Sequence, residues 1–345
     1  MKLSDFEYPF PRNLVAKFPA KPRDSARLMV LNRADESIVE RRFSDIIDYF
    51  KKGDSLLVNE TRVFAARLLG RKEKTNAKIE VFLLRQLNKE ENIWDVIVDP
   101  ARKVRIGNKI YFDDGKIWCE VVDNTTSRGR TMRFNLKGDL YKIIERIGRT
   151  PLPYYIKRES DEDDKESYQT VYARQIGSVA APTAGIHFTK RLLTQIEQKG
   201  AKVVPLTLHL GLGSFRAVEV EDLSKHKMDS EYYEIPETTV REVNHTIDHR
   251  GHVFVCGTST ARASESSVTT TGHLKANRAW TDKFIFPPYD FKVADHVITN
   301  FHLPESTQLM MICAFAGRDF VMRAYKKAIK EKWQMFSYGD AMLIL

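Results

Sequence analysis

Between Gly177 and Thr189 the chain reads GSVAAPTAGIHFT, a run too interrupted for a packed helix or a plain strand. Gly177, Ala180, Ala181, Ala184 and Gly185 are small enough to let another molecule approach the main chain, and Pro182 fixes φ there. Such a stretch is backbone held for a ligand. It feeds Thr189, an N-cap residue type, and the helical pattern KRLLTQIEQK, so its amides are offered to an anion or a polar group. Three more segments carry related chemistry. LHLGLGSFR, Leu208 to Arg216, combines Gly211 and Gly213 with Ser214 and Arg216. GTSTARASES, Gly257 to Ser266, offers hydroxyls to cap a helix or hold a ribose, and the turn NFHLP sets Asn300 and His302 on a rigid platform. The Gly211-x-Gly213 pair lacks the third glycine of a dinucleotide fingerprint, and no GxSxG nucleophile elbow occurs. His245 and His249 have helical spacing without a carboxylate or third ligand, which argues against a metal site.

The elements that must position these loops alternate in type. VVPLTLHL from Val203, HVFVCG from His252, KFIFP from Lys283 and HVITNF from His296 read as strands. Helices are expected at 189–199, 307–316 and 319–332, with a shorter helical pattern over 43–50 followed by the strand GDSLLVNETRV. The alternation predicts a layered α/β domain whose ligands bind at strand ends. One stretch differs. KIEVFLLR from Lys78, IWDVIV from Ile93, KIYF from Lys109, KIWCEVV from Lys116 and TMRFNL from Thr131 are short, alternating and β-branched or aromatic. Asp113, Asp114 and Gly115 mark a hairpin, and with a strand at 62–69 the stretch makes a small antiparallel barrel or sandwich inserted into the α/β domain. The run RESDEDDKES from Arg158 reads as a solvated connection.

A chain of 345 residues predicts two domains, and 42% hydrophobic with 29% charged residues is globular composition. The longest apolar run, Leu309 to Ala316, is far short of the ~20 residues a membrane span needs, and the N-terminus lacks a signal-peptide pattern, so a soluble, cytoplasmic protein is expected. Cys119, Cys256 and Cys313 are an odd number with no CxxC pair and are expected as buried thiols. The net charge of +9 is unevenly spread: Val58 to Tyr154 holds 20 Lys or Arg against 13 Asp or Glu. A basic module beside a nearly neutral one suggests a polyanion, nucleic acid first.

Taken in order, RDSARLMVL from Arg23, VNETRVFAARLLG from Val58, RTPLPYYI from Arg149, YQTVYA from Tyr168, GSVAAPTAGIHFT, LHLGLGSFR, HKMDSEYYEIP from His226, the block from Asp295 to Gly317 and FSYGDAMLIL from Phe336 closely resemble the S-adenosylmethionine:tRNA ribosyltransferase-isomerase family of queuosine biosynthesis. The resemblance spans the chain. It implies an α/β domain at 1–57 and 155–345 interrupted by a six-stranded β-barrel domain at 58–154. It also implies transfer and isomerisation of the ribosyl part of S-adenosylmethionine onto 7-aminomethyl-7-deazaguanine at the tRNA wobble position, giving epoxyqueuosine and releasing adenine and methionine. S-adenosylmethionine is then a consumed co-substrate, with no metal and no resident cofactor. The expected protein is a monomer with tRNA as its partner.

On that resemblance, His187, His209 and His302 are candidate acid–base groups, with Glu231 and Glu265 as carboxylate alternatives. Arg216 or Arg262 is suited to the methionyl carboxylate. Thr183, Gly185, Gly213, Thr258 and Asn300 are expected to bind substrate, and Phe215 or Tyr289 to sandwich the extruded base. Arg62, Arg67, Arg102, Lys103 and Arg105 are the expected phosphate contacts. Asp229 stands where the family commonly has a second histidine, Ala65 where proline is usual, and Pro287 to Tyr289 replaces a proline-glycine pair. Two alternatives remain open: another S-adenosylmethionine-dependent RNA-modifying enzyme, and a catalytically inactive tRNA-binding paralogue.

Overall fold

The computed structural model describes residues 1–136, 139–211, 213 and 217–345. Strands β1 (Arg27–Asn32) and β2 (Ser37–Arg42) form an antiparallel pair, and β3 (Ser55–Asn59) follows. Every residue of β3, SLLVN, is buried, as befits a parallel strand covered on both faces. The chain then passes through β4 (Thr61–Val63) into β5 (Arg67–Lys72), β6 (Lys78–Asn88), β7 (Ile93–Asp99), β8 (Lys109–Phe112), β9 (Ile117–Asn124) and β10 (Gly129–Phe134). These last six close into a barrel in the order β10-β7-β6-β5-β8-β9. Its interior is filled by Trp94, Val81, Val96, Ile110 and Phe112, a core of its own. Gly70 permits that packing, because a Cβ there would lie 2.6 Å from both Ile110 Cγ2 and Phe112 Cε1. The Asp113–Gly115 turn has positive φ at all three residues and joins β8 to β9, as its sequence predicts.

After the barrel come α1 (Leu140–Ile147), α2 (Asp164–Ser167), β11 (Gln175–Ser178), α3 (Lys190–Gln198), β12 (Lys202–Leu208), β13 (Glu231–Ile235), α4 (Glu237–Asp248), β14 (Val253–Cys256), α5 (Thr258–Glu265), β15 (Asn277–Thr281), β16 (His296–Asn300), α6 (Thr307–Ala316), α7 (Arg318–Lys330) and β17 (Ala341–Ile344). Nine strands form one sheet, β15-β13-β12-β3-β14-β16-β17-β1-β2, in which β12, β3, β14 and β16 run parallel. Two apolar clusters cover its faces, one around α6 and α7 and one around α3. The architecture is the expected layered α/β fold interrupted by a small antiparallel β-barrel.

Three local expectations fail for identifiable reasons. KFIFP is not a strand: β15 is NRAWT, and Pro287 and Pro288 just beyond Phe286 have no N–H to give a ladder. The strand expected at 62–69 is split, β4 pairing with β11 and β5 entering the barrel. The acidic run is not all solvated. Asp164 is 1% exposed and accepts from Arg158 Nη1 and Nη2 at 2.6 and 2.7 Å, from Tyr338 Oη at 2.9 Å and from Asp161 N–H at 2.9 Å. Burial raises its pKa, but these donors outweigh burial and hold the carboxyl below its usual range. Asp164→Asn removes the charge and leaves the inner guanidinium unbalanced. It is expected to cost about 3 kcal/mol in urea unfolding, against near-neutrality for the exposed Asp163→Asn. All three cysteines are buried thiols, and no helix among the described residues is long and apolar enough to cross a membrane.

Candidate active-site cleft at the ends of the parallel strands

The four parallel strands β12, β3, β14 and β16 end at Leu208, Asn59, Cys256 and Asn300 on one edge of the sheet. That edge is where open α/β sheets collect their ligand-binding loops. One buried side chain ties the strand ends together. Asn59 donates to the Leu208 carbonyl at 2.9 Å and to Ser259 Oγ at 3.1 Å, while its Oδ1 accepts from Thr61 N–H and Leu208 N–H. A polar residue closing the apolar run SLLV was the available signal, and sequence reasoning passed over it.

A cleft of about 670 Å³ opens there, the size of a small-ligand site. Thr183, Thr258, Asn300 and His302 line it, together with Ala181, Pro182 and Ala184 of the small-residue loop. The rest of its lining includes Phe10, Arg12, Lys17, Tyr154, Tyr155, Phe336 and Ser337, from segments to which sequence analysis gave no site role. They lie far apart in sequence, so only the fold assembles them. Thr258 sits in the first turn of α5, where Thr260 Oγ1 donates to the Cys256 carbonyl at 2.5 Å. Those hydroxyls belong to the helix itself instead of capping a later one.

His187 lies behind Asn300, 4% exposed and 4.9 Å from the Phe43 ring. Asn300 Nδ2 is 3.2 Å from His187 Nε2 and 3.2 Å from the Phe336 carbonyl. The Gly339 and Asp340 carbonyls are also near, at 3.4 and 3.5 Å, so the amide must present nitrogen to this ring of acceptors. His187 Nε2 is then an acceptor, and its proton sits on Nδ1. Burial pushes the imidazole pKa down to about 4, against a main-chain hydrogen bond at Arg23 that raises it. Asn300 Oδ1 is buried without a hydrogen-bond partner among the described residues.

The other two histidines are also held neutral. His302 Nε2 is 2.7 Å from Thr299 Oγ1, its N–H donates to Tyr325 Oη at 2.9 Å, and Tyr8 Oη donates to its carbonyl. Burial pushes its pKa down to about 3. His209 Nδ1 is 2.8 Å from Thr61 Oγ1, its ring stacks on Tyr232 at 5.8 Å, and burial brings it to about 4. Gly177 is fixed by this ring, since a Cβ there would lie 2.6 Å from His209 Nε2. Near pH 7 all three imidazoles are neutral.

Arg262 and Glu231 form an ion pair with both side chains buried. Glu231 Oε1 also accepts from Gly211 N–H at 2.7 Å, fastening the main chain just past β12. Arg262 lines a small pocket that shares Leu210, Thr258, Ser259 and Gln308 with the cleft, and its Nε is buried without a hydrogen-bond partner among the described residues. Burial lowers its pKa to about 10, so it stays cationic at neutral pH.

Other expected site residues are placed elsewhere. Glu265 does not line the cleft: its carboxylate accepts from Lys292 N–H at 3.1 Å, Val293 N–H at 2.9 Å and Tyr289 Oη at 3.1 Å. Gly185 packs on Tyr172, whose Oη would lie 2.0 Å from a Cβ, and Gly213 packs on Asp229. Phe215 and Arg216 lie outside the described residues. Thr189 caps α3 by accepting from Leu192 N–H, and its hydroxyl donates to Asp24 Oδ2 at 3.2 Å. The anion at that helix start is the protein's own, held also by Arg191 at 2.9 Å. Arg102, Lys103 and Arg105 are exposed between β7 and β8. Arg67 is committed to Glu80 at 2.5 Å, and Arg62 lies 4.0 Å from Glu166. The His245 and His249 rings lie 3.9 Å apart and tilted by 41°, and no group of three His, Cys, Asp or Glu among the described residues is placed to hold a metal ion.

A cleft at the ends of parallel strands, joined to a separate basic barrel, defines an α/β enzyme with an inserted β-barrel. The queuosine biosynthesis protein family model matches residues 3–344. The chain is 58% identical over 348 residues to a Cytophaga hutchinsonii protein and 57% over 346 to one from Chloroherpeton thalassium, both named S-adenosylmethionine:tRNA ribosyltransferase-isomerase. All of this chain and all of each relative are covered. The crystal structure of the Thermotoga maritima S-adenosylmethionine tRNA ribosyltransferase is 33% identical, with a TM-score of 0.57 over 99% of this chain and 100% of that one. The chain belongs to the queuosine biosynthesis protein family and is an enzyme, a transferase-isomerase of that pathway.

Proposed function

We propose that the chain moves the ribosyl group of S-adenosylmethionine onto 7-aminomethyl-7-deazaguanine at the tRNA wobble position, forming epoxyqueuosine with release of adenine and methionine. The observation that carries this reading is the cleft itself, which gathers Thr183, Thr258, Asn300 and His302 beside the buried Arg262, in a chain 58% identical to a protein named for that activity. The sulfonium acidifies the adjacent 5′ C–H. Loss of that proton opens the ribose with departure of adenine, the aminomethyl nitrogen captures the carbon skeleton, and epoxide closure expels methionine. Every atom transferred comes from the two substrates, so no resident cofactor is required.

The protein's share is to bind, orient and exclude water. Thr183 and Thr258 supply hydroxyls to the adenosyl ribose. Arg262 faces the methionyl carboxylate as a cation already desolvated. His302 and Asn300, held by Thr299, His187 and the 336–340 carbonyls, offer fixed polar groups instead of mobile ones.

The deciding experiment incubates the protein with S-adenosylmethionine and tRNA carrying the deazaguanine, and analyses small molecules and digested nucleosides by mass spectrometry. Adenine, methionine and epoxyqueuosine together establish the activity. Methylated RNA with S-adenosylhomocysteine replaces the reading with a methyltransferase, and bound RNA without any product replaces it with an inactive paralogue. In the same assay the exposed barrel pair Arg102→Ala/Arg105→Ala is expected to raise the KM for tRNA several-fold and to make its salt dependence shallower by about two counterions, with kcat unchanged.

A further inference from the structure

At the outer end of the large sheet, three rings form a row. His209, just past β12, donates its N–H to the Tyr232 carbonyl at 2.9 Å, and its ring stacks on Tyr232. Tyr232 stands directly opposite Trp280 in the β13–β15 ladder, with ring centres 5.9 Å apart and an edge-to-face angle of 69°. Trp280 is 55% exposed on β15, which ends the sheet. A half-exposed tryptophan on an edge strand is costly to leave in water and invites association, so it needs a reason.

Its surroundings narrow the choice of partner. Arg85, from barrel strand β6, holds its guanidinium 5.6 Å from the Trp280 ring. Arg278, two residues before Trp280 on the same face, is 74% exposed and pairs with Glu234 at 2.8 Å. Arg174, 76% exposed, lies near Glu60 on the neighbouring loop, and Arg85 is 3.5 Å from Asp95. The row therefore combines flat aromatic faces with guanidinium groups contributed by both the barrel and the sheet. Its inner end is His209, whose neighbour Leu210 lines the cleft. Aromatic platforms flanked by cations bind unpaired nucleic acid, because every base has a face to stack and every link carries a phosphate.

We infer that the row His209–Tyr232–Trp280, with Arg85 and Arg278, is a stacking platform for an unpaired RNA nucleotide flanking the one that enters the cleft, Trp280 being the residue that meets the base. This rests on the reading that RNA is the substrate. An apolar protein partner would not account for a barrel guanidinium set against this ring of the sheet, with the exposed Arg278 on the same strand face.

The test uses the full chain and an anticodon stem-loop RNA carrying the deazaguanine, with Trp280→Ala and Trp280→Phe beside the native protein. Trp280→Ala gives up only the cross-strand contact with Tyr232 and the Arg85 contact, so both variants are expected to melt within about 3 °C of the native protein. Trp280→Ala should raise the KM for RNA on the order of tenfold, leave the KM for S-adenosylmethionine unchanged and keep kcat at saturating RNA within twofold; Trp280→Phe should regain most of the loss. Native tryptophan fluorescence should be quenched by the RNA, and that quench should vanish in Trp280→Phe. An unchanged RNA KM in Trp280→Ala, or an equal rise in the KM for S-adenosylmethionine, overturns the platform while native turnover upholds the function. If the native protein gives no products, the function reading falls and equilibrium RNA binding by the same three proteins decides the platform: equal affinities reject it, and a tenfold loss in Trp280→Ala supports it.

Discussion

Arg262→Ala is expected to destabilise the protein by about 3–5 kcal/mol and to reduce turnover below 1% of native. The first effect follows from burial. Arg262 and Glu231 are 5% and 3% exposed, and removing the cation leaves a carboxylate in a site with no water to solvate it. The second follows from position, since the guanidinium borders a small pocket that shares Leu210, Thr258, Ser259 and Gln308 with the cleft, and Glu231 fastens Gly211. One variant cannot separate these effects. Glu231→Gln/Arg262→Met can, because the amide still accepts from Gly211 N–H while the charge pair is exchanged for neutral side chains of similar size. Urea unfolding of the double variant is expected within about 1 kcal/mol of native, since buried ion pairs are often replaceable by packed neutral groups. Its turnover is expected to stay below 1%. Recovery of turnover together with stability would show Arg262 to be a strut and remove it from substrate binding.

Much of the fold was legible because its signals were local. The barrel strands alternate in type, Asp113-Asp114-Gly115 dictates its turn, and Thr189 caps α3 where its residue type said it would. KFIFP carries the same alternation as a true strand, and nothing in its own letters says that NRAWT, six residues earlier, wins the place beside β13. Half of the cleft was legible too. Thr183, Thr258, Asn300 and His302 sit at or shortly beyond the ends of strands, and that sequence context is what places them at the sheet's edge. Phe10, Arg12, Tyr154 and Phe336 reach the same cleft from three distant segments, a fact of tertiary packing that periodicity cannot carry. Glu265 shows the opposite failure. A glutamate in a polar, glycine-led segment looks available, yet its carboxylate is wholly occupied by main-chain N–H groups of 292 and 293 and by Tyr289. Residue type declares what a group can do, while its partners decide whether it is available to do it.

That distinction gives His187 a measurable signature. Its folded pKa is about 4, against an ordinary value near 6.5, because burial disfavours the charged ring. Between those values the unfolded chain binds the proton and the folded chain does not. The stability that His187 contributes is therefore fully present above pH 6.5 and is lost as pH falls to about 4, at a slope of about 1.4 kcal/mol per pH unit. His187→Gln keeps an acceptor for Asn300 Nδ2 but cannot be protonated. Urea unfolding of both proteins at pH 7.5, 6.5, 5.5 and 4.5 is expected to give curves that converge on acidification, the native protein losing about 2 kcal/mol more than the variant between pH 6.5 and 5. Parallel curves would mean the ring is already charged, or solvated, when folded. The same variant separates orientation from proton transfer. If His187 acts by holding Asn300, His187→Gln should raise the KM for S-adenosylmethionine with a modest fall in kcat and an unchanged pH profile of kcat/KM above pH 5. If it takes the 5′ proton itself, kcat should fall by several orders of magnitude and the acid limb of the profile should disappear. With Nε2 accepting from Asn300 and the ring neutral by burial, the first outcome is the one expected.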